Sequence, residues 1–267
     1  MNPFLRILNI IPITNRFERI WKIAQIDFKR RYYNDRLGLI WALLNPIFTV
    51  LVYYFIFTVI VKRVSDGIEV NYGIFLFSGI IIWMAFVEMM KKGMRTLIQK
   101  RYLIENIKVK KEDLYLSTSL SITFAFIFNI IAYLFMAYIF GVTYSFNLLY
   151  LPILIINTFL IGSGVGMVLS IIFVYLRDIT HLIDVLIMLG FWISGIFFKA
   201  ELIKESVPIL YYLNPFVGII DNMRQITLYN KTPNLITMNI NIIIGIIIFI
   251  IGFHMINKYS QDAMEKL

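Results

Sequence analysis

Two histidines, His181 and His254, and no cysteine are all the nitrogen and sulfur this 267-residue chain offers a soft metal. Disulfides and thiolate sites are thereby excluded, and a proton relay or histidine-based metal centre has little to build on. The carboxylates form no pair inside an apolar stretch, and neither an H-E-x-x-H helix nor a nucleophile elbow occurs. None of the 14 glycines precedes a lysine, so the phosphate-cradling P-loop is missing and the chain has no Walker-type ATP site. No catalytic residue, metal ligand or cofactor of its own is expected.

Where charge enters apolar sequence, it does so near the ends of stretches. Glu88 lies one turn from Lys91 and Lys92. A carboxylate within a membrane segment is a functional candidate by default, but an interfacial salt bridge accounts for this one. Arg177 and Asp178 open the run RDITHLIDVL, with His181 and Asp184 one or two helical turns on. They read either as a helix-end charge pair or as a short contact to a cytosolic partner.

Aromatic side chains are plentiful, with 23 Phe, 16 Tyr and 4 Trp. Trp and Tyr anchor helices at both membrane interfaces, which accounts for many of them. Aromatic faces also stack on sugar rings. Trp41, Tyr53 and Tyr54 in one apolar stretch, and Phe191, Trp192 and Phe198 in another, are the candidates to line a path for a glycan.

The elements that must position these residues are set by hydropathy. A hydrophobic fraction of 60%, a mean hydropathy of +0.79 and only 15% charged residues exclude a soluble globular chain. The basic cluster Lys29, Arg30, Arg31 and Arg36 runs into the uncharged stretch 37–61, long enough at 1.5 Å per residue to cross a core of roughly 30 Å. Arg or Lys at the bilayer centre costs about 2.5–3.5 kcal/mol, so the cluster stays inside and the first span runs outward. Further spans are expected at 71–90, 114–140, 148–176, 183–198 and 235–256. The fold class is therefore an all-α membrane protein, one domain with six transmembrane helices and both termini cytosolic. Cytosolic segments then hold 19 Lys or Arg and external segments 6. That asymmetry explains the net charge of +9 without nucleic acid.

Residues 1–36 form a cytosolic region whose stretch from Asn15 to Tyr33 reads as an amphipathic interface helix. Asn15 and Glu18 make a capping-box pattern, and Phe17, Ile20, Trp21, Ala24, Phe28 and Tyr32 share a face from which Ile23 and Ile26 fall off. It serves either as a plain surface anchor or in a specific contact. Residues 91–111 carry eight Lys or Arg against Glu105 and must face the cytosol. One or two short helices are expected there. Arg101, Tyr102, Leu103, Ile104 and Glu105 would be an exposed docking surface in one reading and a solvated topogenic loop in the other. In the fourth span, Gly162, Gly166 and Ser170 form a small-residue ridge for close helix packing. The external region 199–233 is too short in its apolar runs to span and is broken by Pro208 and Pro215. Re-entrant or interfacial helices are expected there.

Three runs carry a family resemblance: Arg31 to Tyr53, in the pattern RYxxxxLGxxWxxLxPxxxxxxY; the GMVLS…RDI region around Met167 to Ile179; and YLNPFxGIIDNMR from Tyr212 to Arg224. Together they resemble the permease subunits of type-2 ABC exporters, in the group that exports O-antigen, capsular polysaccharide and teichoic acid. The resemblance covers most of the chain. It implies a homodimer with the conduit at the dimer interface, and two cytosolic ATP-binding subunits that carry ATP and magnesium. It also implies a lipid-linked glycan or polyol-phosphate polymer as cargo and a place in the bacterial cytoplasmic membrane. The N-terminal helix, the 91–111 loop and Arg177-Asp178 would then couple to the ATPase, and Asn214, Pro215 and Phe216 would form the re-entrant motif. An exporter of drugs or other lipids would share this topology. So would a membrane enzyme acting on lipid-linked sugars, although that enzyme should gather His, Asp or Glu at one face.

Overall fold

The computed structural model describes residues 15–31, 37–56, 71–107 and 109–266. Arg36, the end of the expected amphipathic helix at Tyr32 and Tyr33, and the end of the first expected span at 57–61 lie outside them. Every regular element among the described residues is helical.

Helix α1 is Arg16–Arg30. The Asn15 side chain accepts the Phe17 N–H at 3.1 Å, and Glu18 in the first turn and Lys29 and Arg30 in the last complement the helix dipole. A 3-10 turn, Gly38–Ile40, with Gly38 at φ +51°, leads into α2, Trp41–Tyr54. Pro46 inside α2 removes one helical hydrogen bond. The remaining helices are α3 (Tyr72–Gln99), α4 (Arg101–Ile107), α5 (Lys111–Ile139), α6 (Leu151–Tyr175), α7 (Ile179–Ile193), α8 (Ala200–Ser206), α9 (Pro208–Leu213), α10 (Pro215–Thr227) and α11 (Leu235–Glu265).

Among the described residues, four helical stretches are long and apolar enough to cross a membrane: α3, α5, the 3-10 turn plus α6 over Phe146–Tyr175, and α11. Helices α2 and α7 are apolar but shorter, at 14 and 15 residues. The second span differs from expectation. Instead of ending at residue 90, α3 continues unbroken to Gln99, because Lys91, Lys92 and Arg95 extend a helix into water as readily as they end a membrane segment.

The helices alternate in direction, giving the bundle two distinct ends. At one end α4 joins α3 to α5, α1 docks on α5, α6 turns into α7, and the Lys266 ammonium beyond α11 stands 4.6 Å over the Tyr175 ring. At the other end Asn147 donates to the Asn230 carbonyl at 2.9 Å, and Asn230 donates to Thr143 Oγ1 at 3.0 Å.

Helix α6 is the central post, and glycine is why. A Cβ on Gly162 would stand 2.9 Å from Met89 Cβ of α3, and one on Gly93 of α3 would stand 2.8 Å from Gly166 Cα. On another face of α6, a Cβ on Gly164 would stand 2.8 Å from Phe249 Cα of α11. Ser170, the last residue of the expected ridge, is hydrogen-bonded to the Tyr115 hydroxyl of α5. Small residues thus let α3 and α11 meet α6 backbone to backbone, the dispersion-driven packing that apolar solvent demands, while α5 reaches it through the Tyr115–Ser170 hydrogen bond.

Candidate functional site

At the basic end, α1 is fastened to α5 by charge. Asp113, fully buried, accepts from Arg16 Nε at 2.7 Å and from Arg19. Below that pair the helix buries Ile23, Ala24 and Phe28. Ile23 had fallen off the sequence stripe, yet it is among the most buried residues of α1 because the Val109–Leu114 turn wraps that side. Trp21 and Phe28 meet Phe124 edge to face, at 5.1 and 6.0 Å. Glu88 accepts from Lys92 at 2.6 Å, as its spacing predicts, and also from Arg31 at 2.9 Å. Lys100 reaches Asp27 on α1. Burial pushes the Lys100 ammonium below its ordinary range, Asp27 opposes the shift, and Arg30 and Lys92 add to it.

The expected docking surface is divided by the fold. Arg101 and Glu105 pair with each other at 2.6 Å on the open side of α4, and Tyr102 beside them is half exposed. Leu103 and Ile104 point the other way and pack on Ile23, Val109 and Leu114. They fix α4, a helix of seven residues, to the bundle by its apolar side. Arg177 and Asp178 are exposed at the head of α7, at the same end as α4. Lys91 holds that helix to α3 through Asp184 at 2.7 Å.

Helix α7 is the least covered of the longer helices. Leu182, Val185, Met188, Leu189, Trp192 and Ile193 are exposed, and Ile183 alone of this helix is buried. Its inner side closes over a groove of about 290 Å³ lined by Trp83, Phe86, Leu169, Leu186, Gly190 and Phe216. Rings concentrate here: Phe86 meets Phe216 at 4.3 Å, Trp83 meets Phe216 edge to face at 5.2 Å, and Trp192 stacks on Phe197 at 4.6 Å. Phe191 and Phe198 join through Phe197 at 5.2 and 6.3 Å. Of the candidate path residues, then, Phe191, Trp192 and Phe198 come together. Tyr53 and Tyr54 flank the start of α3 from the other side, Tyr54 packing on Phe140 at 4.5 Å, and Trp41 is half-buried at the start of α2. Between the two groups stand Gly73, against the Tyr54 backbone, and Tyr72, whose hydroxyl donates to the Phe197 carbonyl at 3.1 Å.

Asn214, Pro215 and Phe216 form a clip. The Asn214 side chain accepts the Phe216 N–H at 3.1 Å, capping α10, and its amide donates to the Ile193 carbonyl at 3.2 Å, the end of α7. Pro215 opens α10 at the position where its missing N–H costs nothing, and Phe216 is buried among the rings of α3.

A single family model, described as ABC-2 type transporter, matches residues 18–228, from α1 to the end of α10. The chain belongs to the ABC-2 type transporter family. Within it, the O-antigen export system permease protein RfbA of Klebsiella pneumoniae is 26% identical over 252 residues, 94% of this chain and 95% of its own. The RfbA protein of Myxococcus xanthus is 22% identical across 79% of this chain and 81% of its own length. The polysialic acid transport protein KpsM of Escherichia coli is 19% identical across 89% and 92%.

One residue that organises this ABC-2 chain escaped the sequence reading. Arg224 of α10 is buried, and its guanidinium donates to the carbonyls of Gly195 at 2.8 Å, Ile196 at 2.6 Å and Phe198 at 3.0 Å. Its Nε reaches Ser78 of α3 at 3.3 Å. A cation inside an apolar run is a signal in itself, but its partners are carbonyls, which leave no trace in sequence. Beside it Asp221 is pushed up to about 6, first by burial and then by Glu201 of α8. Asp113 was missed for a related reason: beside Glu112 in the first turn of a helix, it reads as a solvated helix-end acid.

Proposed function

We propose that this chain is the membrane-spanning permease subunit of an ATP-driven exporter of lipid-linked polysaccharide, working as a homodimer with two separate cytosolic ATPase subunits. The observation that carries the proposal is α7: an apolar face open along its length, bordered by stacked rings and headed by exposed Arg177 and Asp178. Such a face buries itself against a second copy, and its rings offer the amphipathic contact that sugar rings stack on. The near full-length similarity to O-antigen and polysialic acid export permeases supports a glycan cargo, and a teichoic acid or other polyol-phosphate polymer fits the same chemistry.

In this reading α2 and α7, the latter prolonged through its ring-rich turn, complete six spans. The basic end lies in the cytosol of a bacterial cell, with both termini, and α8 to α10 dip back from outside. ATP and magnesium belong to the partner. Its movement would press on Tyr102, Arg101 and Glu105 of α4 and on Arg177 and Asp178, and tilt α7 with the clip at Asn214. Export of drugs or other lipids is the second reading.

The test is affinity capture of tagged protein from mild detergent, with ATPase assayed on the eluate. Co-purifying ATPase that is lost in Tyr102→Glu combined with Arg177→Glu, with the chain still monodisperse, is the expected result. A homogeneous chain with no partner and no ATPase would overturn the proposal.

A further inference from the structure

The seam between α6 and α11 holds two amides that the fold leaves unanswered. Asn157 of α6 is fully buried, and neither its Nδ2 nor its Oδ1 has a hydrogen-bond partner among the described residues. Asn241 of α11 is 3% exposed, and its Nδ2 is equally alone. One turn further out on α11 the polar groups are satisfied. Asn222 donates to Thr237 Oγ1 at 3.2 Å and accepts the Asn234 N–H at 2.7 Å. A buried amide with nothing to bond is costly in apolar surroundings, and each such group asks for a reason.

The neighbours of the two amides supply one. A Cβ on Gly245 would stand 3.1 Å from Asn157 Oδ1, so that oxygen lies against α11 at Gly245. Asn241 precedes Gly245 by four residues and shares its face of the helix, one turn away. The Asn241 amide is turned aside to α10, where a Cβ on Gly218 would stand 2.5 Å from its Nδ2. Gly218 thus provides a seat that any side chain would fill. Helix α10 is in turn tied to α7, because Asn214 at its head donates to the Ile193 carbonyl at 3.2 Å. We propose that Asn241 is a latch with two seats, resting on Gly218 here and pairing with the Asn157 amide when α7 draws α10 aside. Facing amides exchange donor for acceptor, so the pairing answers both orphans at once and offsets the cost of moving α10. The inference goes beyond the export reading and rests on it only in taking α7 and α10 as elements that move.

The chain has no natural cysteine, so the reach of the latch can be read from disulfide formation in membranes. Asn157→Cys with Asn241→Cys should cross-link under copper phenanthroline. Asn157→Cys with Thr237→Cys, one turn further out, should not. Asn157→Leu removes the orphan amide, and the melting midpoint in detergent should rise by about 2–4 °C. Asn157→Val, with a smaller side chain, guards against overpacking beside Gly245. Export of polymer to the cell surface should nonetheless fall several-fold in Asn157→Leu and in Asn241→Leu, and the double variant should be no worse than either. A lowered midpoint in both the Leu and Val variants would show that the amide is already satisfied at rest, and would overturn the proposal. So would normal export by Asn157→Leu, or failure of the Asn157–Asn241 pair to cross-link. Cross-linking and melting do not depend on the cargo, whereas ATPase co-purification with the wild-type chain reports on the export reading itself.

Discussion

The Arg224 guanidinium stands 3.5 Å over the centre of the Phe75 ring while its nitrogens reach the carbonyls that follow α7. One side chain thereby joins three pieces of chain: α3 through the ring, the Gly195–Phe198 turn through its carbonyls, and α10 through its own backbone. The turn needs this. Gly195 at φ +76° breaks the helix, and the carbonyls around it have lost their helical amides in an apolar setting. A planar cation with five donors satisfies several at once and stacks on an aromatic face as it does so.

Arg224→Lys should therefore be far from conservative. A single ammonium cannot reach carbonyls and Ser78 in a fork, and several buried acceptors lose their donor. The expected cost is about 3 kcal/mol or more, from hydrogen bonds to a charged group at roughly 1.5–3 kcal/mol each. It would be measured as a lowered midpoint of thermal unfolding in detergent. A Lys variant that melts with the wild type would remove Arg224 from the centre of this assembly.

Asp113→Asn tests the seat of α1. The buried carboxylate answers Arg16 and Arg19, and its neutral isostere leaves both guanidinium groups without that charge. Arg16 is about half exposed, so the loss is expected nearer 2 kcal/mol than the 3–5 kcal/mol of a fully buried pair. Limited trypsin digestion is the readout, with faster cleavage after Lys22 and Arg30 while α5 and α6 stay protected. Unchanged cleavage would show that the apolar face alone holds the helix.

The sequence reading reached further on some elements than on others, for physical reasons. Asn15 as a cap, Glu88 with Lys92, and Gly162 with Gly166 are local patterns, each decided within a few residues. The Lys91–Gln99 part of α3 is expected from sequence as a separate short helix, and not as a continuation of the span, because hydropathy reports where the membrane ends and is silent on where a helix ends. Leu103 and Ile104 were given to a docking surface because their depth depends on α1, eighty residues earlier, and on Val109. Gly164 shows the same limit. Its neighbours Gly162 and Gly166 announce a ridge, whereas its own contact with Phe249 needs the distant α11 in place.

Gly164→Leu and Gly93→Leu probe that packing from two sides of α6. A side chain at either position meets backbone, which cannot rotate away, so the helices must part. Each should cost at least about 1–3 kcal/mol, the range for overpacked cores, and shift the protein from monodisperse to aggregated on size-exclusion chromatography. Gly141→Ala is the contrast, because its surroundings are open and only its φ of +88° resists the change.

Trp192→Ala separates transport from folding. The ring is 56% exposed and its stack on Phe197 lies at the rim of the bundle, so its loss should leave the melting midpoint within about 1 kcal/mol of wild type. Export of polymer to the cell surface, scored by immunoblot of surface glycan, should fall several-fold. Normal export would take Trp192 off the path.

Asp221 makes the packing of α8 and α10 sensitive to pH. Its folded-state value, about 6 against an ordinary 3.8, means that the folded chain holds the proton more tightly than the unfolded one. Stability from this group is therefore greatest below pH 3.8 and declines as pH rises through about 6. Asp221→Asn should flatten that decline and gain about 2 kcal/mol at neutral pH, seen as melting midpoints that differ between the two proteins at pH 7.5 and converge near pH 4.

Helix α3 spans 28 residues without a proline, about 42 Å at 1.5 Å per residue. Three glycines could soften it, yet Gly73, Gly79 and Gly93 are each braced by a neighbour, at Tyr54, Ile220 and Gly166 respectively. The guanidinium hub grips its Tyr72 end through Phe75 and Ser78, and ion pairs from Lys91 to Asp184 of α7 and from Lys100 to Asp27 of α1 hold its Gln99 end. Mechanically it is a strut with a load point near each tip. A displacement of its inner tip has no hinge in which to dissipate, so it reaches the far side of the bilayer as motion of the turn that Arg224 holds.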